Sequence, residues 1–170
     1  MDLSWINTQD FRLTIIPRPR GGDWLLDDIR ALKLAGIEVL ASLLTAAESE
    51  ELGLSDEARY CNETGIKFLT FPIEDRSVPN SVADFSRFVN LIESELCRNT
   101  PVGIHCRAGI GRSSLLAACL LSQHGYETDT AFDAITQARK FPVPDTPEQH
   151  LWVEHWVNLQ KNRPINQRHS

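Results

Sequence analysis

The chain has 170 residues, of which 42% are hydrophobic, and this length and composition favour one domain with one buried core. Its 17 Lys and Arg residues against 23 Asp and Glu give a net charge of -6, which disfavours a nucleic acid or an anionic membrane as the main partner. The sequence has no basic start followed by an apolar run and no stretch of about 18 apolar residues. Neither secretion nor a membrane span is therefore predicted, and a cytoplasmic location is expected.

Hydrophobic periodicity predicts strands that alternate with helices along the chain. A β-branched, apolar run predicts the first strand at residues 11–16, and residues 17–22, which are rich in Pro, Arg and Gly, predict a loop. The helix that follows is capped by Asp23 or Asp27 and ends at Gly36. The other predicted strands are residues 37–44, 67–71 and 102–106, and the other predicted helices are an acidic one from residue 46 and residues 55–63, 82–96, 113–124, 129–140 and 147–160.

This alternation, with short connecting loops, predicts an α/β fold whose central, mainly parallel sheet is flanked by helices. Residues 1–170 are expected to form this single domain, with residues 1–10 and 162–170 peripheral to it. Ligands of such sheets bind where loops leave the carboxyl ends of strands. The loops after residues 67–71 and 102–106 are of this kind, and both hold candidate catalytic residues.

The loop after residues 102–106 has the features of an anion-binding site. It joins an apolar strand to a helix, and Gly109 and Gly111 permit the backbone angles of a tight cradle. Backbone N–H groups of such a loop, with the positive end of the helix dipole, favour a bound anion. The guanidinium of Arg112 is suited to binding two phosphate oxygens at once. The predicted phosphate-binding residues are Arg107, Ala108, Gly109, Ile110, Gly111 and Arg112.

The same positive field favours a thiolate at Cys106, so that the anion site also produces a nucleophile. Ser113 is a candidate donor of a hydrogen bond to that sulfur, and its alternative role as the N-cap of the helix is compatible with this one. His105 is expected to point away from the sulfur and to orient the loop.

The remaining cysteines, Cys61, Cys97 and Cys119, are expected to be small buried hydrophobic residues. The four cysteines form no C-x-x-C pair, so neither a zinc site nor a disulfide framework is predicted. No metal and no cofactor are expected.

An alkoxide or phenoxide leaving group needs a proton from a carboxylic acid. Asp75, in a proline-containing loop just beyond a strand, is the predicted acid; Glu74 is its rival, and an ordinary solvated carboxylate is the alternative for both. Hydrolysis of the resulting thiophosphate requires a water, which Gln149 is predicted to position. Gln149 also forms, with Thr146 and Pro147, the pattern of a capping box.

The segment from His105 to Ser113 resembles the signature of the protein tyrosine phosphatase superfamily, which is His-Cys, five residues, Arg, and then Ser or Thr. The layout over roughly Asp27 to Leu159 is similar to that of the compact dual-specificity phosphatases, particularly the cyclin-dependent-kinase-associated type. This resemblance implies the dual-specificity phosphatase fold, a general acid at Asp75 within Pro-Ile-x-Asp, and a water-orienting Gln149.

The predicted function is hydrolysis of phosphate monoesters on phosphotyrosine proteins, and also on phosphoserine and phosphothreonine, through a cysteinyl-phosphate intermediate. The protein is expected to act on a phosphorylated protein substrate as a monomer. An inositide phosphatase is disfavoured because Ala108 and Ile110 stand where lipid phosphatases of the superfamily usually carry lysines. A phosphoprotein-binding module without turnover is the alternative from a different class.

Overall fold

The computed structural model describes residues 3–163, so that residues 1, 2 and 164–170, which belong to the segments expected to be peripheral, lie outside the described range. Within that range five strands form one sheet in the order β1-β2-β5-β3-β4. They are β1 (Ser4–Trp5), β2 (Leu13–Ile15), β3 (Val39–Ser42), β4 (Lys67–Thr70) and β5 (Val102–His105). The last four pair in parallel, and β1 pairs antiparallel with β2 at one edge. The predicted α/β fold with a mainly parallel sheet is therefore confirmed.

Helices cover both faces of this sheet. The α-helices of the described residues are α1 (Leu25–Leu34), α2 (Ala46–Glu51), α3 (Glu57–Thr64), α4 (Val82–Leu96), α5 (Arg112–Gln123), α6 (Thr128–Arg139) and α7 (Pro147–Lys161). The smaller core contains α1 and α3, whereas the larger one contains residues of α4, α5, α6 and α7. None of these helices is long and apolar enough to span a membrane.

Strand β3 shows why the sheet needs a core on each side. Its side chains alternate between the faces, so that Val39 and Ala41 pack in the larger core and Leu40 packs in the smaller one. All three side chains are buried. A strand with both faces buried has a continuous apolar sequence, and this pattern predicted the strand.

Strand β5 lies at the centre of the sheet, between β2 and β3. Gly103 in this strand packs against Ile37 and Ile16, which a Cβ would meet at ordinary contact distances of 3.4 and 3.5 Å. The chain leaves β5 at its carboxyl end and enters α5, in which every residue from Arg112 to Leu121 is buried. The loop between them is thus fixed at both ends by packed elements.

Two local details differ from the sequence prediction. Neither Asp23 nor Asp27 caps α1, since a short 3-10 turn precedes it and its N-cap is Trp24, without a side-chain cap. Strand β1 was not predicted because only two residues form it, too few for an alternating pattern. Gly36, with φ +92°, follows α1 and is the predicted terminating glycine.

Candidate active site

Residues 106–111, the cysteine loop, turn back over the sulfur of Cys106. The backbone N–H of Gly109 donates a hydrogen bond to Cys106 Sγ at 3.3 Å. Gly109 makes this turn with φ +68°, a conformation that side chains rarely adopt. Cys106 itself is only 2% exposed and lies at the base of the loop.

The carbonyl groups of this loop point outward, toward α6. Arg139, in the last turn of α6, donates from Nε to the carbonyl of Gly109 at 2.9 Å and from Nη2 to that of Ala108 at 3.5 Å. In a trans peptide the N–H points opposite to the C=O, so the N–H groups of Gly109 and Ile110 face the interior of the loop. Arg139 thereby fixes the orientation of two peptide groups from outside.

Most N–H groups of the loop are free to bind an anion. Within residues 3–163, no hydrogen-bond acceptor is found for the backbone N–H of Arg107, Ala108, Ile110, Gly111 or Arg112. Unpaired N–H groups at a helix N-terminus attract negative charge. The predicted phosphate cradle is therefore compatible with the observed backbone.

Arg112 is held rigidly behind the loop by Glu48 of α2. Its Nη1 and Nη2 donate to the two carboxylate oxygens of Glu48 at 2.7 and 2.9 Å, and Nη1 also donates to the carbonyl of Ile73 at 2.7 Å. The guanidinium is 2% exposed. Burial tends to raise the pKa of Glu48, but its hydrogen bonds from Arg112 and Thr45 outweigh burial and the pKa is lowered. A planar bidentate pair of this kind fixes orientation as well as charge.

The structure brings the predicted acid and the predicted phosphate-binding arginine together. Arg112 Nη2 donates to Asp75 Oδ1 at 2.8 Å. The carboxylate of Asp75 is 57% exposed, so it lies at the mouth of the site. Because Asp75 occupies this donor, a phosphate that uses it must displace the carboxylate. The rival Glu74 is exposed, and its side chain makes no hydrogen bond or ion pair within the described residues.

Ser113 and His105 lie on either side of the cysteine loop in sequence, and both are fully buried. Helix α5 begins at Arg112 with Gly111 as N-cap, so Ser113 does not have the N-cap role considered as an alternative. Its Oγ has no hydrogen-bond partner among the described residues, so its predicted bond to the sulfur is not formed in this conformation. His105 Nε2 lies 2.8 Å from Glu57 Oε1, an ion-pair distance without hydrogen-bond geometry, which ties the end of β5 to α3.

Gln149 forms the predicted capping box at the start of α7. Its backbone N–H donates to Thr146 Oγ1 at 3.2 Å, and its Oε1 accepts from the N–H of Thr146 at 3.2 Å. The side chain also packs onto the cysteine loop, because a Cβ at Gly111 would lie 2.7 Å from the Gln149 amide. The two interpretations of Gln149, as cap and as a residue of the site, are thus sterically compatible.

The other cysteines differ from one another. Burial raises the pKa of Cys61 to about 12 and that of Cys119 well above its usual range, which agrees with the expected role as small hydrophobic residues. For Cys97 that expectation was wrong. Cys97 is exposed, and its thiol donates to Glu93 at 3.3 Å, which raises its pKa.

Sequence reasoning missed Glu48 and Arg139. Glu48 lies in the predicted acidic helix, but nothing in the local pattern separates it from Glu50 or Glu51. The Thr45–Glu48 capping box was the one local signal, and it predicts a helix start rather than a contact with Arg112. Arg139 carries no local signal beyond its place in the last turn of a helix.

Three of the arginines considered as surface charges are paired with carboxylates. Arg107 lies 2.7 Å from Glu51, and Arg76 lies 3.3 Å from Asp145. Arg20, farther along the loop after β2, lies 2.6 Å from Asp28. These side chains are partly or largely exposed, as expected of solvated surface charges. Arg139, by contrast, binds carbonyls of the cysteine loop and has no carboxylate partner among the described residues.

Together, these residues form an arrangement that can support nucleophilic displacement on a tetrahedral anion. A cysteine sulfur can act as the nucleophile, loop N–H groups and a guanidinium can stabilise negative charge, and a carboxyl group lies at the open side. Among the described residues, no group of three His, Cys, Asp or Glu side chains is arranged to hold a metal ion.

Comparisons with known proteins agree with this geometry. Residues 38–161 match the family model described as dual specificity phosphatase, catalytic domain. Dual specificity protein phosphatase 2 of Mus musculus is 26% identical over 119 residues, which cover 69% of this chain and 34% of that protein. Cyclin-dependent kinase inhibitor 3 of Sus scrofa is 29% identical over 131 residues, which cover 74% of this chain and 60% of that protein. The chain thus spans between 34% and 60% of the length of these two relatives.

A similar solved structure is that of kinase associated phosphatase (KAP) with its catalytic-site cysteine substituted by serine. The two chains superpose with a TM-score of 0.84 at 20% identity, over 96% of this chain and 97% of that one. At this identity the likeness establishes the fold. The match confirms the predicted resemblance to compact dual-specificity phosphatases.

Substituting Glu48 by Gln is expected to reduce the loss of stability at acidic pH. A carboxylate whose folded pKa is lowered contributes stability above its unfolded pKa of about 4.3, and this contribution is lost as the pH falls through the folded value. The variant should unfold about 2 kcal/mol more easily near neutral pH, as expected for loss of a charged hydrogen-bond partner, and this deficit should shrink as the pH falls below the unfolded pKa of about 4.3. Urea unfolding across this pH range, with Glu154→Gln as an exposed control, measures the effect. A deficit that stays constant with pH would contradict the proposed coupling of Glu48 to Arg112.

Proposed function

Because the chain belongs to the family described as dual specificity phosphatase, catalytic domain, we propose that it is a protein phosphatase that hydrolyses phosphotyrosine, and also phosphoserine and phosphothreonine, through a cysteinyl-phosphate intermediate. The observation that carries the proposal is the closed cysteine loop. Cys106 lies beneath unpaired N–H groups, with Arg112 and Asp75 2.8 Å apart beside it. This arrangement supports phosphoryl transfer to sulfur.

In the first step, Cys106 Sγ attacks the phosphorus atom as a thiolate. The S–P bond forms while the P–O bond to the leaving group breaks, and the carboxyl proton of Asp75 goes to the departing oxygen. The loop N–H groups and the guanidinium of Arg112 bind the equatorial phosphate oxygens, on which negative charge is spread. For Arg112 this requires that Nη2 release Asp75 and donate to a phosphate oxygen instead. Its Nε, which has no partner among the described residues, would donate to a second phosphate oxygen.

In the second step, water attacks the cysteinyl phosphate. Asp75, now a carboxylate, accepts a proton from the water as the new O–P bond forms and the S–P bond breaks, which regenerates the thiolate and releases inorganic phosphate. Ser113, whose buried hydroxyl has no partner among the described residues, is the proposed hydrogen-bond donor to the leaving sulfur. Gln149 is the proposed residue that orients the attacking water.

The charges near the site support a protein substrate over a polyphosphorylated lipid headgroup. Arg107 is paired with Glu51 and Arg76 is paired with Asp145, so these two arginines offer little unpaired positive charge to additional phosphates. Ala108 and Ile110 add none. A single phosphate carried on a side chain fits this charge distribution best.

The remaining parts of the proposal concern the setting of the reaction. The protein is proposed to act as a monomer, without metal or cofactor, on a phosphorylated protein. A cytoplasmic location fits this chemistry, because a reducing compartment keeps Cys106 as a free thiol.

Substituting Cys106 by Ser is expected to abolish turnover of an aryl phosphate such as p-nitrophenyl phosphate, because the hydroxyl is a far weaker nucleophile than the thiolate. Wild-type turnover should persist in excess EDTA. Cys97→Ser, at an exposed cysteine on the end of α4, is the matched control and should retain full activity. If the wild type binds a phosphotyrosine peptide without turning over either substrate, the chain is a binding module and the enzyme proposal is wrong.

Substituting Asp75 by Asn is expected to affect substrates according to their leaving groups. General acid catalysis contributes about 10²- to 10⁴-fold, and it matters most where the leaving oxygen is basic. The value of kcat/KM for phosphoserine peptides should therefore fall by about that factor, while aryl phosphates with acidic phenols should lose much less. Glu74→Gln, at the rival carboxylate, is the control and should show no such difference. A uniform loss across substrates in Asp75→Asn would remove Asp75 from the role of acid.

A further inference from the structure

Two side-chain bridges tie the loop that carries Asp75 to the start of α7. Residues 72–80, the acid loop, follow β4, and the second segment runs from Asp145 to Gln149. Gln149 Nε2 donates to the carbonyl of Ser77 at 3.1 Å, and Arg76 Nη1 donates to Asp145 Oδ1 at 3.3 Å. The two bridges therefore hold Arg76 and Ser77, which are one and two residues after Asp75.

The Gln149 bridge is buried and well defined, whereas the Arg76 bridge is exposed. Gln149 has no solvent exposure, and its Oε1 accepts from the N–H groups of Asp145 and Thr146 at 3.2 Å each. These bonds fix the orientation of the amide, so that Nε2 is directed at Ser77. An exposed ion pair such as Arg76–Asp145 is worth little by comparison.

Asp75 needs such support because catalysis removes its present partner. Asp75 accepts a hydrogen bond from Arg112 Nη2, and a phosphate dianion would compete for the same donor. Asp75 must leave Arg112 and yet stay beside the leaving oxygen. The Asp75 side chain is 57% exposed, and the next residue, Arg76, has an unfavourable φ of +58°. Local structure alone therefore does not hold Asp75 in place.

We propose that Gln149 is a positioning residue for the general acid, which keeps the acid loop closed through the Ser77 carbonyl when phosphate displaces Asp75 from Arg112. The proposal rests on the proposed phosphatase function and goes beyond the water-orienting role suggested for Gln149. It places the contribution of Gln149 in the first chemical step, in which the Asp75 proton passes to the leaving oxygen as the P–O bond breaks.

The step at which Gln149 acts can be measured, because kcat/KM and kcat report different steps. kcat/KM covers the reaction up to departure of the leaving group, whereas hydrolysis of the cysteinyl phosphate affects kcat alone. We expect Gln149→Ala to lower kcat/KM by about 10- to 100-fold for substrates with basic leaving groups, and by less than about threefold for the most acidic phenols. The slope of log kcat/KM against leaving-group pKa, measured with a series of aryl phosphates and a phosphoserine peptide, should therefore become steeper, as in Asp75→Asn.

Thr146→Val is the matched control for loss of the helix cap. It removes the hydroxyl that accepts from the Gln149 N–H, but it leaves the bond from Gln149 Nε2 to Ser77 in place. Its melting temperature should fall while its leaving-group slope stays that of the wild type. An equal steepening in Thr146→Val would show that general destabilisation, rather than the Ser77 bond, causes the effect, and it would overturn the proposal.

Gln149→Glu provides a second variant in case Gln149→Ala does not fold. A carboxylate keeps the acceptor for the two backbone N–H groups, as in other capping boxes, but has no hydrogen to donate to Ser77. The added charge should lower kcat/KM equally for all phosphate substrates and leave the leaving-group slope unchanged. A steeper slope in this variant would therefore indicate that Asp75 is no longer held in position.

Two further results would contradict the inference. One is a wild-type slope in both Gln149 variants. The other is an unchanged kcat/KM with a lower kcat for every substrate, since this pattern assigns Gln149 to water alone. Failure of the proposed function itself gives a different result, because the wild type would then show no turnover, or Cys106→Ser would retain it.

Discussion

The site depends on the orientation of the peptide groups in residues 106–111. The N–H of Gly109 donates to Cys106 Sγ, whereas the N–H groups of Arg107, Ala108, Ile110 and Gly111 have no acceptor among the described residues. Unpaired donors of this kind cost stability unless an anion or water binds them. The cost is tolerated because β5 and the buried residues of α5 fix the loop at its ends, and Arg139 binds two of its carbonyls from outside. Strain of this kind is retained at functional sites where the surrounding structure determines the local conformation. The same orientation is suited to binding a tetrahedral anion over the sulfur of Cys106.

Arg112 connects the cysteine loop to the rest of the fold. The segment just after β3 connects the end of β5 to the acid loop: Leu43 donates to the carbonyl of His105 and accepts from the N–H of Ile73. Arg112 binds the carbonyl of Ile73 and the carboxylate of Glu48, which follows that segment in α2. Its guanidinium therefore contacts the start of the acid loop and the beginning of α2 at once. A buried pair of this kind contributes geometry more than net stability, since the desolvation of both charges offsets much of their attraction.

The parts of the site that could be predicted from the sequence are those formed by residues close together in the chain. The cysteine loop, the Asp75 loop and the Thr146–Gln149 capping box each combine residue types within a few positions, and local chemistry determines their form. Glu48 and Arg139 lie 64 and 30 residues from the groups that they bind, so no local pattern reveals them. The same limit explains β1, which exists only through pairing with β2, and Cys97, whose exposure depends on how the end of α4 packs.

Protection of Cys106 by inorganic phosphate tests the central claim most directly. Wild-type protein would be treated with iodoacetamide with and without phosphate, and alkylation of each cysteine would be followed by peptide mass spectrometry. The account predicts that Cys106 is alkylated, that phosphate slows this reaction, and that the exposed Cys97 is unaffected by phosphate. In Arg112→Lys most of the protection should disappear, because a point charge cannot replace a planar fork. If Cys106 resists alkylation as Cys61 and Cys119 should, or is alkylated at the same rate with saturating phosphate, the loop does not bind an anion over its sulfur and the account is contradicted.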